Sequence, residues 1–265
     1  MKKLYHYTSF DTFLRIWVSK RLKFASVKNV NDIEEGRCDF TLPCCGETFI
    51  PLCLAFEDVR ASYKQISLTM DYDNTKGCMS PIMWAHYGDK RKGVCIELDY
   101  KRMNIPSNCF AEKVVYKESI NKYREFPIGV ETISDIRNYI IDNRKDIFFT
   151  KLKCWEAENE YRIISDSDDY LYINNAITGI YLTSCESDEC KMIESMVKSN
   201  DIKVRYIHSR SRKGVFELCD NDTSTYRQHY KIERNRDIYK ATREFYEARK
   251  NNENASLIWK EENKL

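Results

Sequence analysis

Three segments of this 265-residue chain hold residues whose types and spacing can do chemistry. The first is Leu4-Tyr5-His6-Tyr7-Thr8, a strand-like run set directly before a helix start. A strand that presents His6 at its end, with the hydroxyls of Tyr7 and Thr8 beside it, can bind a ribose, because imidazole and hydroxyl groups both exchange hydrogen bonds with sugar hydroxyls. From spacing alone, a histidine that satisfies its own turn is the stronger reading. The second segment is Trp84-Ala85-His86-Tyr87, followed by Gly88, Arg91, Lys92 and Gly93. Three large rings on one helical turn cannot all face a core, so at least one is expected to meet solvent or a ligand. Arg91 and Lys92, flanked by glycines, can reach a phosphate. A packed helix with a solvated turn accounts for the segment equally well. The third runs from Trp155 to Ile164 and contains Glu158, Glu160 and Arg162. A strand entered at Glu158 places all three on one face. Two carboxylates and an arginine are expensive to bury without a purpose, and are ordinary surface charge if exposed. A buried glutamate there can polarise a ribose hydroxyl, or steady the positive charge that develops as a glycosidic bond breaks.

The elements that would position these groups follow from pattern. Leu4–Thr8 reads as a strand, and Ser9 caps a helix to about Ser19 with Phe10, Phe13, Leu14 and Trp17 on one face. Asp11 in its first turn and Lys20 and Arg21 at its end suit the helix dipole. Leu22–Ser26 and Ile66–Met70 read as strands, and 29–36 as a polar loop. Ser80-Pro81 starts a short helix over Ile82–Tyr87, and Gly93 opens the strand Val94–Asp99. Further strands are expected at Ala111–Tyr116, Glu160–Ser165 and Ile177–Thr183, with helical periodicity over Ile133–Phe149 and Ser187–Lys198. Lys203–His208 and Gly214–Cys219 look like a closing hairpin. Short strands broken unevenly by helices argue against regular parallel winding. The expected fold is α+β, a small mixed or antiparallel sheet with flanking helices. Residues 1–221 form one domain. Residues 222–265 form a charged helical extension, with Ile238, Ala241, Thr242 and Phe245 at helical spacing. That extension packs on the domain, or serves as an arm for a protein partner or a second copy.

Composition bounds the function. A net charge of +2 gives no global pull toward nucleic acid or anionic membrane. No apolar run is long enough to span a bilayer, and no signal-like stretch follows Met1. Eleven scattered cysteines, an odd number, are expected to be reduced and mostly buried in a cytoplasmic protein. Cys38, Cys44, Cys45 and Cys53 cluster locally, but without a CxxC pair or a nearby histidine, so no metal site is expected.

Together, LYHYTSFDTFLRIWVSKRLKF, the loop NDIEEG, MWAHYGDKRKGVCIELD and WEAENEYRII resemble a widespread bacterial family of domains of unknown function, family 2971, over about residues 4–220. The family loop reads NDPFEG; Ile33 and Glu34 replace its Pro and Phe, whereas Asn31, Asp32 and Glu35 are kept. The strand-His-x-Thr-helix opening and the late glutamate on a strand also resemble the ADP-ribosyltransferase superfamily, in particular the bacterial toxins that modify DNA. That resemblance implies an ADP-ribosyltransferase-like fold and NAD as the substrate, with no metal. It implies that His6 holds the NAD ribose and Glu160 is catalytic, with Tyr87 or Trp84 against the nicotinamide. It implies a nucleic-acid or protein acceptor and a toxin or antiphage role. Glu158 is the second candidate catalytic carboxylate; Tyr7, Thr8, Asn31, Asp32 and Arg91 are the remaining candidate ligand contacts. The alternatives are hydrolysis of NAD or a related nucleotide, and a non-catalytic sensor on the same fold. Since Glu160 is nearer the apolar centre of its strand than Glu158, Glu160→Gln is expected to abolish activity with the fold intact, and Glu158→Gln to do less.

Overall fold

The computed structural model describes residues 2–28, 32, 39–41, 49–120, 123–125, 130–183, 188–198, 202–212, 215–222 and 224–228, with 240, 242–244 and 247. In chain order the first half holds β1 (Lys3–Thr8), α1 (Phe10–Ser19), β2 (Arg21–Lys23), β3 (Ala25–Ser26), β4 (Asp39–Thr41), α2 (Phe49–Ser62), β5 (Lys64–Met70), α3 (Pro81–His86) and β6 (Val94–Asp99). Then come β7 (Phe110–Lys113), β8 (Val115–Lys117), β9 (Tyr123–Glu125), α4 (Ile133–Asp142), α5 (Arg144–Phe148) and β10 (Thr150–Leu152). The last part holds β11 (Glu160–Ser165), β12 (Tyr170–Tyr172), β13 (Ile177–Leu182), α6 (Asp188–Val197), β14 (Lys203–Arg212) and β15 (Val215–Asp222).

The fold is α+β with one mixed, mainly antiparallel sheet. Its strands run β15-β14-β13-β6-β1-β5-β11-β7, with β3 also paired to β5. Within this sheet, among the described residues, only β13 and β14 pair in parallel, and α6 makes the crossover between them. The N-terminal strand is therefore central. Leu4 is buried against α1 and α6, which place Phe13, Ile16, Ile193 and Val197 on that face. Ser9 starts α1 by accepting from the Thr12 amide, and Lys20 ends it in the left-handed conformation. On the opposite face Tyr5 and Tyr7 join Trp84, Cys95 and Tyr181. A separate cluster forms where α2, α4 and α5 bring Phe56, Ile136, Ile140 and Phe148 against Ile164.

β6 pairs with β1 along its whole length, from Lys3↔Asp99 to Thr8↔Val94. β5 pairs with β1 only at Leu4↔Met70 and Tyr5↔Thr69. Farther along, β3 takes over the edge of β5 at Gln65 and Lys64. Between these contacts, Ile66, Ser67 and Leu68 pair with β11 on one side alone. The sheet parts at its centre, beside His6.

Several expectations need correction. The segment from Ala111 to Tyr116 forms two strands, because Val114 breaks the ladder to β11 and donates its amide to the Glu160 carbonyl. The helical stretch over 133–149 is two helices that meet at Asn143. Helix α2 has no sequence counterpart above; its apolar residues are too dense to show a single face, and it holds Cys53 from the cysteine cluster. Six cysteines in the described residues are free; Cys78, Cys95 and Cys190 are buried, Cys154 is exposed and two are partly buried. Two residues past 221 contact the elements before them. Tyr226 stacks on Tyr206 with ring centroids 4.8 Å apart, and Arg227 pairs with Glu194. Of the residues with helical spacing farther on, Thr242 is helical, whereas Ile238, Ala241 and Phe245 lie outside the described residues. Among the described residues, no helix is long and apolar enough to cross a membrane.

Glycine 93 shows how tightly the central strands fit. A Cβ there would lie 2.2 Å from the Thr8 carbonyl oxygen, so backbone would have to move. Gly93→Ala is expected to destabilise the protein by about 1–3 kcal/mol, as overpacking does. Gly179→Ala, whose Cβ would first meet Glu97 at 3.4 Å, is expected to change stability far less. Urea denaturation midpoints of the two variants check the difference.

Candidate functional site

The parting of β1 from β5 opens a cavity of about 260 Å³. Its lining includes His6 and Tyr7 from β1, Ser67 and Thr69 from β5, Tyr87 after α3, and Lys151, Glu158 and Glu160. His6 sits at the gap. Its ring hydrogen-bonds the Ser67 main chain, serving where a neighbouring strand would otherwise pair. Burial pushes the imidazole down to about 4, against the upward pull of that hydrogen bond. At neutral pH His6 is therefore uncharged. With one nitrogen donating to the Ser67 carbonyl, the other is an acceptor for a hydroxyl or amide. The Thr69 hydroxyl, on a residue 3% exposed, is buried with no hydrogen-bond partner. A buried hydroxyl on a cavity wall needs a partner from the cavity.

Across the gap lies a cluster of four buried charges. Glu158, Glu160 and Arg162 are 5%, 4% and 1% exposed, and Lys151 is buried with them. Arg162 grips Glu160 with two bonds, Nε to Oε1 at 2.6 Å and Nη2 to Oε2 at 2.8 Å, while its Nη1 donates to the Phe148 carbonyl at 2.6 Å. Lys151 lies 2.6 Å from Glu158 Oε2 and 3.2 Å from Glu160 Oε2. Tyr87 donates to Glu158 Oε1 at 2.6 Å. Burial alone would raise the Glu160 carboxyl, but Arg162, Lys151 and a hydrogen bond from Ser67 overcome it and hold the group at about 2. Two positive and two negative charges balance, which is what makes such burial affordable.

Local structure explains how residues 158 and 160 meet. The strand begins at Glu160, not at Glu158; residues Lys153–Glu158 form a 3-10 turn. Asn159 between them is left-handed, with φ 43°, a conformation asparagine tolerates. Its side chain donates to the carbonyls of Met70 and Asp71, at 2.9 and 3.0 Å, and so staples this corner to the end of β5. The two-strand pairing of β8 with β10 sets Tyr116 beside Lys151, and the Tyr116 hydroxyl accepts from the Glu160 amide at 2.9 Å.

The candidate residues divide accordingly. His6, Tyr7, Tyr87, Glu158 and Glu160 line the one cavity. Tyr7 spends its hydroxyl on the Gly77 carbonyl at 2.6 Å. Trp84 is a core residue, 1% exposed, with its indole donating to the Cys78 carbonyl and its ring edge-on to Tyr7. Of the three rings on α3 and its end, Trp84 faces the core, Tyr87 the cavity, and His86 is exposed. Thr8 and Asp32 are buried outside the cavity lining, Arg91 is exposed outside it, and Asn31 lies outside the described residues. Lys151 and Thr69 went unrecognised in the sequence. The sequence offers little to single out Lys151, which shares the segment Thr150-Lys151-Leu152-Lys153 with a second lysine. Among the described residues, no group of histidine, cysteine and acidic side chains could hold a metal ion.

Two pH windows follow. His6 takes up a proton at about pH 6.5 when unfolded but only near 4 when folded, so its contribution is complete above pH 6.5 and is lost as pH falls toward 4. Glu160, held at about 2 against an ordinary 4.5, loses its contribution between pH 4.5 and about 2. Denaturation measured across pH 7 to 3 is expected to show both declines. His6→Asn should flatten the first and leave the second.

Residues 83–163 match a family described as "Protein of unknown function (DUF2971)". The matched span holds Tyr87, Lys151, Glu158, Glu160 and Arg162, whereas His6 and Asn31 precede it. No curated protein and no solved structure matches the chain.

Proposed function

We propose that the cavity binds the ribose–nicotinamide end of NAD and that the protein transfers ADP-ribose to a macromolecular acceptor. The observation that carries this reading is the parted sheet itself. A neutral histidine acceptor and an unpartnered threonine hydroxyl stand on one side, and two carboxylates with a tyrosine on the other. Hydroxyl-rich ligands suit such a mixture, because each group can exchange a hydrogen bond without a net charge being buried. In the reaction, the bond between the ribose C1′ and the nicotinamide nitrogen breaks and nicotinamide leaves with the electron pair. An oxygen or nitrogen of the acceptor then bonds to C1′ and loses its proton.

The two glutamates take different parts in this reading. All the acceptor positions of Glu160 are engaged by Arg162, Lys151 and Ser67, so it is a positioning residue. Glu158 has Tyr87 and Lys151 as partners and keeps acceptor capacity for a ribose hydroxyl. This reverses the order expected from the strand. Glu160→Gln would leave Arg162 buried beside a neutral amide, which destabilises a protein by about 3–5 kcal/mol. Glu158→Gln still accepts from Tyr87, and Lys151 retains Glu160.

The test is incubation with NAD labelled in the adenosine part, together with DNA, RNA or cell lysate. Label on a macromolecule, lost on the order of a hundredfold in Glu158→Gln with normal circular dichroism, supports transfer. Free ADP-ribose with no labelled macromolecule turns the reading to hydrolysis. A second reading has its own support: the four buried charges cancel and leave little net field to stabilise a cation, as a non-catalytic binding module allows. NAD binding by calorimetry without nicotinamide release would select that reading.

A further inference from the structure

The side chains of Gln65, Ser67 and Thr69 share one face of β5, and all three residues line the cavity. Two of the three are satisfied within the fold. Gln65 donates through Nε2 to the Ser67 hydroxyl at 3.3 Å, and Ser67 bonds the Glu160 carboxylate. Thr69 is not. It is 3% exposed, and its hydroxyl has no hydrogen-bond partner among the described residues. Buried hydroxyls are normally paired, because leaving one away from water and unbonded costs stability.

The register explains why neither cross-strand neighbour answers it. Thr69 stands opposite Tyr5 on β1 and Glu160 on β11. The Tyr5 hydroxyl bonds Asp71, which also accepts from the Gly77 amide at 2.9 Å. Glu160 is engaged by Arg162, Lys151 and Ser67. Both neighbours have thus committed their polar groups elsewhere. Tyr5↔Thr69 is also the last pair of the β1–β5 ladder before the strands part. Thr69 therefore stands at the closed end of the gap, and His6, the residue after Tyr5, borders the same space. An ionic group entering that corner would find its counter-charges already paired with one another. A neutral hydroxyl fits it, since it can donate to one partner and accept from the other.

We propose that Thr69 hydrogen-bonds one ribose hydroxyl of the ligand and makes the site selective for ribosides over deoxyribosides. The identity of the sugar rests on the cavity reading above; the lack of an internal partner for Thr69 does not. A site built to bond a hydroxyl rejects the analogue that lacks it, because its own polar group is then left unpaired.

Two variants test this. Thr69→Val keeps the branched shape and loses the hydroxyl; Thr69→Ser keeps the hydroxyl. Without ligand, Thr69→Val is expected to match or exceed the wild type in urea midpoint, since it removes an unpaired polar group. A clearly lower midpoint overturns the proposal, because it reveals a partner within the fold. Calorimetry then compares NAD with NAD lacking the 2′- or the 3′-hydroxyl of the nicotinamide ribose. One of these analogues is expected to bind the wild type and Thr69→Ser about tenfold or more weakly than NAD does. Thr69→Val should bind NAD with a similar loss and show no further loss with that analogue, so the two deletions are not additive. Equal affinity of the wild type for all three ligands, or additive losses, overturns Thr69 as the group that reads the hydroxyl. Absence of NAD binding to the wild type rejects the cavity reading, and adenosine with its 2′- and 3′-deoxy analogues then takes the place of NAD. The same non-additive loss with these uncharged ribosides upholds Thr69, and failure of all of them to bind rejects it.

Discussion

Everything at the candidate site depends on β1 keeping one neighbour and losing the other. Its ladder to β6 is complete, and its ladder to β5 ends after two residues. A complete second ladder would bring Ser67 and Leu68 against His6 and Tyr7 and leave no cavity. The opening is held from both sides. Gly93 at the Thr8 carbonyl fixes the end of β1 to β6, and Asn159 at the Met70 and Asp71 carbonyls fixes the end of β5 to β11. His6 then answers one of the backbone groups that the missing ladder would have served. The histidine is structural and cavity-facing together: one ring nitrogen satisfies the backbone and the other is left toward the cavity.

The strands and helices with strong local signals were legible in the sequence. Ser9 and Ser80 mark their helix starts, and Glu160–Ser165 has the bounds that its run of Tyr161, Ile163 and Ile164 implies. What was not legible depends on contacts between distant segments. Helix α2 packs through Leu52, Ala55, Phe56 and Val59, but Leu54, exposed on the other side, hides that face in the sequence pattern. The left-handed Asn159 moves Glu158 off the strand, and nothing within five residues of it announces that turn. Trp84 and Tyr87 lie three residues apart, and only the position of Cys78 and Glu158 decides which ring enters the core. Nothing local separates buried Lys151 from exposed Lys153 two residues on; the difference comes from the register that pairs β10 with β8.

Buried charge makes the site demanding in a specific way. Each of the four ionised groups would be costly alone, and each is offset by a neighbour within 3.2 Å. The cluster can therefore be changed only in pairs, or by replacing a group whose partners retain another. Glu158 is that group. Its removal leaves Lys151 with Glu160, while removal of Glu160 strands the Arg162 charge, which is nearly inaccessible to water. A residue whose loss leaves the rest of the network intact can also change its bonding during a reaction cycle without unfolding its surroundings.

Charge is divided unequally between the cavity wall and the loop that follows α3. The cavity wall is electrically balanced, so it offers hydrogen bonds rather than a field. The loop beside it carries three cations against one carboxylate and is open to water, where charge costs little to keep. A charged group entering the cavity would have to break one of the buried pairs or stand unpaired beside them, whereas a hydroxyl or amide could exchange hydrogen bonds with His6 and Thr69 at no such cost.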